Sequence, residues 1–318
     1  MKELLNKTHR QIFCYNKDIG HLFVPNLNAR IMNENGGYYV RTNSLGFRSD
    51  VEFKEKKGDK PRILFFGDSN TAADGVSNNE RFSELVGKHF NAEVYNFALS
   101  GSGTDQQYLI CKKYAQKIEA DLIVFGILVD NIERNKVAYR ETINPYTKKN
   151  VLTPKPYFKL EKGKLKLNNS PVPRIKSNLK EIDPHMVQWA VPRGQELIYK
   201  LIAWWRKNKV LKPIRNNFKP FIKRLRSLLI RMAYQPYSDY GNPTSEGYLL
   251  MKEIIGEFIN SVSPIPTIIL PIPTYHYYVD GAKPIYKQFF NYFHDSAKLY
   301  QHQALMVILL YFSLNFTH

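Results

Sequence analysis

A serine attacks an acyl carbon only if its hydroxyl is displayed and a neighbour receives the charge that builds on the carbonyl oxygen. Three short clusters in this 318-residue chain have the residue types for that chemistry. Gly67-Asp68-Ser69-Asn70 ends the apolar run "ILFF", Gly101 lies in "LSGSG", and Asn131 lies in "VDNIERN". A serine just past a strand, opening a helix, has an exposed hydroxyl and a free N–H of its own. Helix N-terminal N–H groups carry partial positive charge and suit an oxyanion. A glycine at 101 lets a backbone N–H approach a substrate closely. The Asn131 amide would add a further donor, and one such donor is worth ~3 kcal/mol of transition-state stabilisation. Taken singly, each cluster is ordinary turn or capping chemistry. Together they make an acyl-transfer site that lacks only its general base.

The elements that must position these residues follow from the hydrophobic pattern. Residues 62–66, 93–97 and 122–128 read as short apolar strands, the third apolar at nearly every position, as in parallel sheets covered on both faces. Between them "NNERFSELVGKHF" puts Phe82, Leu85, Val86 and Phe90 on one helical face, and "TDQQYLICKKYAQKIEA" reads as a helix with Thr104 as N-cap. The order β-α-β-α-β over residues 62–128 is that of a doubly wound α/β domain, whose sites lie outside the carboxyl ends of the strands. All three clusters fall there. Residues 1–60 read as an irregular lead-in with one short strand near "YYVR". Residues 136–240 break the alternation and read as an insertion: a Pro-bounded strand pair, then basic helix interrupted near Pro213 and Pro220. A helix, a fourth strand at 267–271 and another helix resume the pattern. Residues 296–318 form an atypical tail.

"ILFFGDSNTAADGV", "VYNFALSGSGTDQQ" and "ILVDNIERN" resemble the first three motif blocks of the SGNH/GDSL hydrolases. The resemblance is close over roughly residues 38–135 and looser beyond. It implies a flavodoxin-like three-layer α/β/α sandwich with a parallel sheet and a basic helical insertion. It implies Ser69 as nucleophile, with the Ser69 and Gly101 N–H groups and the Asn131 side chain as oxyanion hole. The implied reaction is hydrolysis or transfer of ester-linked acyl groups on a small-molecule or carbohydrate substrate, without metal or organic cofactor. At the third block Asn131 is preferred over Asp130, because an amide donates to an oxyanion and an ionised carboxylate repels it. The family draws its base from a C-terminal Asp-x-x-His, and no such pair follows Asp295. A truncated or frame-shifted ending and a loss of catalysis both fit, with His276, His302 and His318 as other bases. The alternative function is an inactive relative that binds glycans or a membrane surface.

Composition bounds the rest. Apolar content of 43% is that of a globular protein, and two cysteines, Cys14 and Cys111, make neither a disulfide framework nor a metal cluster. The start shows no signal-peptide pattern, and the apolar run at residues 304–316 is shorter than a spanning helix needs. A cytoplasmic protein is expected. Of the net charge of +18, residues 197–238 hold eleven Lys or Arg and no acid. That segment reads as a solvated helical face or a contact with an anionic membrane surface. No nucleic-acid motif accompanies the charge, so no nucleic-acid partner is expected.

Overall fold

The computed structural model describes residues 12–32, 36–143, 150–174, 182–189, 194–208, 219–280, 283–299 and 305–307. The chain opens with two antiparallel hairpins, β1 (Phe13–Asn16) with β2 (Gly20–Phe23) and β3 (Asn28–Ile31) with β4 (Tyr38–Arg41). Next come β5 (Arg62–Phe66), α1 (Phe82–His89), β6 (Glu93–Asn96), α2 (Thr104–Ile110), β7 (Leu122–Leu128) and the short α3 (Asn131–Arg134). The inserted region carries β8 (Tyr139–Ile143), β9 (Asn150–Pro154), β10 (Tyr157–Glu161), β11 (Lys164–Asn168), β12 (Val187–Gln188), α4 (Glu196–Lys207) and α5 (Lys219–Ala233). The chain continues through α6 (Glu246–Val262), β13 (Thr267–Ile272), α7 (Tyr275–Val279), α8 (Pro284–Leu299) and β14 (Leu305–Val307).

The central sheet has the order β14-β13-β7-β5-β6, and every neighbouring pair is parallel. The four expected strands are therefore all present and mutually parallel. Strand β5 is buried at every position because alternate side chains enter different clusters. Ile63 and Phe65 join Val124 under Phe82 and Val86 of α1. Leu64 and Phe66 face the larger core with Ile123, Phe125, and residues of α2, α6 and α8.

Three local expectations give way. Residues 12–60 are not irregular among the described residues: three short strands accompany the expected one, β4 at "YYVR", and Ile19, Leu22, Phe23 and Phe47 belong to the main core. The cap of α2 is Gly103, whose N–H donates to Gln106 Oε1 at 3.1 Å, and Thr104 is already helical. On α1, Leu85 and Phe90 are exposed; of the four expected residues only Phe82 and Val86 pack on the core, half-buried beside the buried Ser83 and Gly87. The basic helix is interrupted near Pro220 as expected: α4 ends at Lys207 and α5 begins at Lys219, with Pro220 in its first turn, where a missing N–H breaks no helical bond. Pro213 lies outside the described residues.

The expected strand pair in the insertion is the β10–β11 hairpin. Just before it, Lys155 is buried and ion-paired with buried Asp105 of α2, which ties the insertion to the sheet domain. Among the described residues no helix is long and apolar enough to cross a membrane, and no His/Cys/Asp/Glu group could hold a metal ion.

Candidate active site

The strand that ends at Phe66 turns sharply at Gly67. Its φ is +153°, and a Cβ there would stand 2.1 Å from Thr71 Oγ1, so no larger residue fits. Residues 69–76 then coil through successive turns, and the expected helix does not start until Phe82. The coil is closed by Ala72 N–H on Asp68 O at 2.8 Å and Asp74 N–H on Ser69 O at 2.9 Å. Ser69 is half-buried at its start.

Asp68 is fully buried and structural. Its Oδ1 accepts from the Asn70 N–H at 2.9 Å and its Oδ2 from Arg134 Nη1 at 2.9 Å. The same Arg134 nitrogen donates to Ser102 O and to Asn131 Oδ1, each at 3.2 Å. One guanidinium thus joins the loops after all three strands. Because arginine only donates, the Asn131 atom facing it is the carbonyl oxygen, which leaves Nδ2 as the free end. Asp130 turns its Oδ1 to the Tyr237 hydroxyl, from which it accepts at 3.2 Å, while its Oδ2 lies 3.8 Å from Arg134 Nη2; burial raises its pKa.

The loop after β6 is pinned from three sides. Ser100 Oγ donates to Asp74 Oδ1 at 2.6 Å, His21 Nε2 donates to Ser100 O at 2.9 Å, and Arg140 Nη1 donates to Gly101 O at 2.7 Å. Gly101 has φ +82°, and a Cβ would stand 1.7 Å from Arg140 Nη1. Burial, then the nearby Arg134, brings the Arg140 pKa down to about 10, so it stays charged at neutral pH.

Ser69 and Gly101 line one cleft of about 300 Å³, together with Asp74, Ser100 and Arg140. The opposite wall is apolar and comes from the N-terminal hairpins, with Phe13, Phe23, Ile31 and Val40. Asn131 is 1% exposed and is not among the lining residues; it reaches the others through Arg134. Among the described residues, the N–H groups of Ser69 and Gly101 and the Nδ2 of Asn131 donate to nothing, and Ser69 Oγ has no hydrogen-bond partner.

Among the described residues no histidine lines this cleft. His276 stacks on Tyr234 with ring centroids 4.0 Å apart, in an aromatic cluster after β13, and burial lowers its pKa. His302 and His318 lie outside the described residues. His21 ends an Asp18-x-x-His21 spacing in the N-terminal hairpin, but the two side chains do not pair. Asp18 is ion-paired with Lys113, and burial pulls the His21 pKa down to about 4. Sequence reasoning passed over His21, Asp74, Arg134 and Arg140. "DNIERN" did contain Arg134, three residues past Asn131 on the same helical face, which was the one available signal.

No protein-family model matches the chain, and no curated protein does. Among solved structures the chain is similar to the esterase AlinE4, of the SGNH-hydrolase family, and to a serine-to-alanine mutant of that esterase. In both cases the identity is 12%, the match covers 80% of this chain and 77% of the other, and the TM-score is 0.35. At that level the likeness decides nothing about this site, whose reading rests on its own geometry.

Proposed function

We propose that the chain is a serine esterase or O-acyltransferase of the SGNH/GDSL type, acting on an ester-linked acyl group of a small molecule or carbohydrate. We read the whole as the flavodoxin-like three-layer sandwich of that family. The observation that carries the proposal is that Ser69 and Gly101 share one cleft with their N–H groups unspent, and that Asn131, tied to the same loops by Arg134, keeps its Nδ2 free. Ser69 would attack, and the Ser69 N–H, Gly101 N–H and Asn131 Nδ2 would hold the oxyanion. Leaving such polar groups unpaired costs stability, and a site that needs them in the transition state is a reason to keep them. The apolar wall of the cleft suits the acyl part, and the Asp74, Ser100 and Arg140 side suits a polar alcohol part.

A second reading, an inactive relative that binds its ligand without turnover, is favoured by one observation: no histidine lines the cleft among the described residues. A serine without its base is a poor nucleophile near neutral pH, and such a site retains on the order of 10³-fold over water from binding and the oxyanion hole. The test is p-nitrophenyl acetate turnover with and without added imidazole as an external base, with Ser69→Ala as the background. Weak turnover that imidazole raises by more than its own catalysis, measured with the Ser69→Ala protein, supports the esterase reading. Equal rates for both proteins under all conditions would discard it, and robust Ser69-dependent turnover without imidazole would show that a histidine of this chain serves as base.

A further inference from the structure

The helices of the insertion leave apolar side chains in solvent. On α5, Phe221, Leu225, Leu228 and Met232 fall at i, i+4, i+7 and i+11, one stripe, and are 44–74% exposed. Ile222 and Ile230, on another face of the same helix, are half-buried. Lys223 and Arg224 are exposed beside the stripe. On α4, Leu197, Leu201 and Trp204 repeat the arrangement at i, i+4 and i+7 and are at least 56% exposed. An apolar face of this size in solvent marks a contact.

Charge identifies what covers it. Lys200 and Lys207 of α4 and Lys223 and Arg224 of α5 are exposed and residues 197–238 hold no acid, so a second copy docked through the same face would set like charges against each other. The occupant must be apolar and anionic at once. A bilayer containing acidic lipids is both: stripes of Leu, Phe and Trp enter the headgroup boundary while Lys and Arg meet phosphates. We infer that α4 and α5 form a docking face for an anionic lipid bilayer and lie in its interface.

The face is fixed to the site edge. Gln195 Nε2 donates to Ile230 O at 3.0 Å, and Arg231 is ion-paired with Asp280 at 3.2 Å. Just past α5, Tyr234 stacks on His276 and the Tyr237 hydroxyl reaches Asp130, the neighbour of Asn131. Docking would therefore hold the carboxyl edge of the sheet at a set relation to the lipid surface.

The experiment is co-sedimentation of the full chain with phosphatidylglycerol/phosphatidylcholine vesicles and with pure phosphatidylcholine vesicles. Far-UV circular dichroism confirms that each variant is folded. Binding should need phosphatidylglycerol, weaken with salt, and fall by at least about tenfold in Lys223→Glu/Arg224→Glu and in Leu225→Asp/Leu228→Asp. Trp204 emission should shift to the blue on binding, a change lost in Trp204→Phe. Equal binding to phosphatidylcholine, no binding, or unaltered binding by both double variants overturns the inference. So does a dimer, seen by light scattering, that Leu225→Asp/Leu228→Asp dissolves, since the stripe is then covered by a second copy. Capture of RNA without vesicle binding overturns it as well.

Discussion

A single guanidinium sets the geometry on which the acyl-transfer reading depends. Arg134 is 7% exposed and Asp68 not at all, and their contact is supplemented by the bonds to Ser102 and Asn131. Arg134→Met should cost about 3–5 kcal/mol in urea denaturation, because it strands a buried carboxylate, and adding Asp68→Asn should recover part of that. Additive losses in the double variant would mean that the two groups are not coupled. His21 offers a second measurement at this scale. Its pKa falls from 6.5 unfolded to about 4 folded, so the unfolded chain binds the extra proton between those values. His21 should thus reduce stability progressively as pH drops from 6.5 toward 4. His21→Gln should remove that part of the pH dependence, measured as the difference from the parent chain. The raised carboxyls Asp74, Asp105 and Asp130 act in the opposite direction and cancel in that difference. "GDSN", "LSGSG" and "DNIERN" showed where chemistry could occur because turn residues announce themselves locally. Arg140 and His21 did not, because each gains its meaning from a partner 39 or 79 positions away.

The elements of the parallel sheet were legible for a different reason. A strand covered on both faces is apolar along nearly its whole length, as β7 is and as β5 is beyond Arg62. Of the N-terminal strands only β4 was legible, at "YYVR"; the other three escaped notice because they are four residues long and mix Gly, His, Asn and Arg, too short and polar for a period of two to show. The coil after Ser69 was taken for a helix start because turn and helix N-terminus favour the same residues. Burial ranks the elements by expected stability. Amide hydrogen exchange should be slowest in β5, β7 and β13 and clearly faster in α4 and α5, whose exposed stripes add little packing. Equal protection of α5 and β7 would show that the basic helices are part of the cooperative core.

On the scale of the whole molecule, 46 basic residues against 28 acidic ones make self-repulsion the leading long-range term. Ion pairs such as Lys56–Glu119 and Lys166–Glu161 lie at the surface and add little each. Raising ionic strength from about 0.01 M to about 0.15 M shortens the Debye length from ~30 to ~8 Å. The urea midpoint should rise over that range. A falling midpoint would mean that the surface pairs outweigh the repulsion between like charges.

The cleft has three contributors from separate parts of the chain, one of them Arg140 of β8. Ser69, Ser100 and Gly101 come from the strand-end loops, whereas Phe13, Phe23, Ile31 and Val40 come from the hairpins that precede the sheet. Substitutions at Phe13, Phe23, Ile31 or Val40, which make none of the side-chain hydrogen bonds that pin the strand-end loops, can therefore widen, narrow or re-shape the space beside the serine. For a lineage under selection, the first forty codons are a dial for ligand preference that turns independently of the reacting groups.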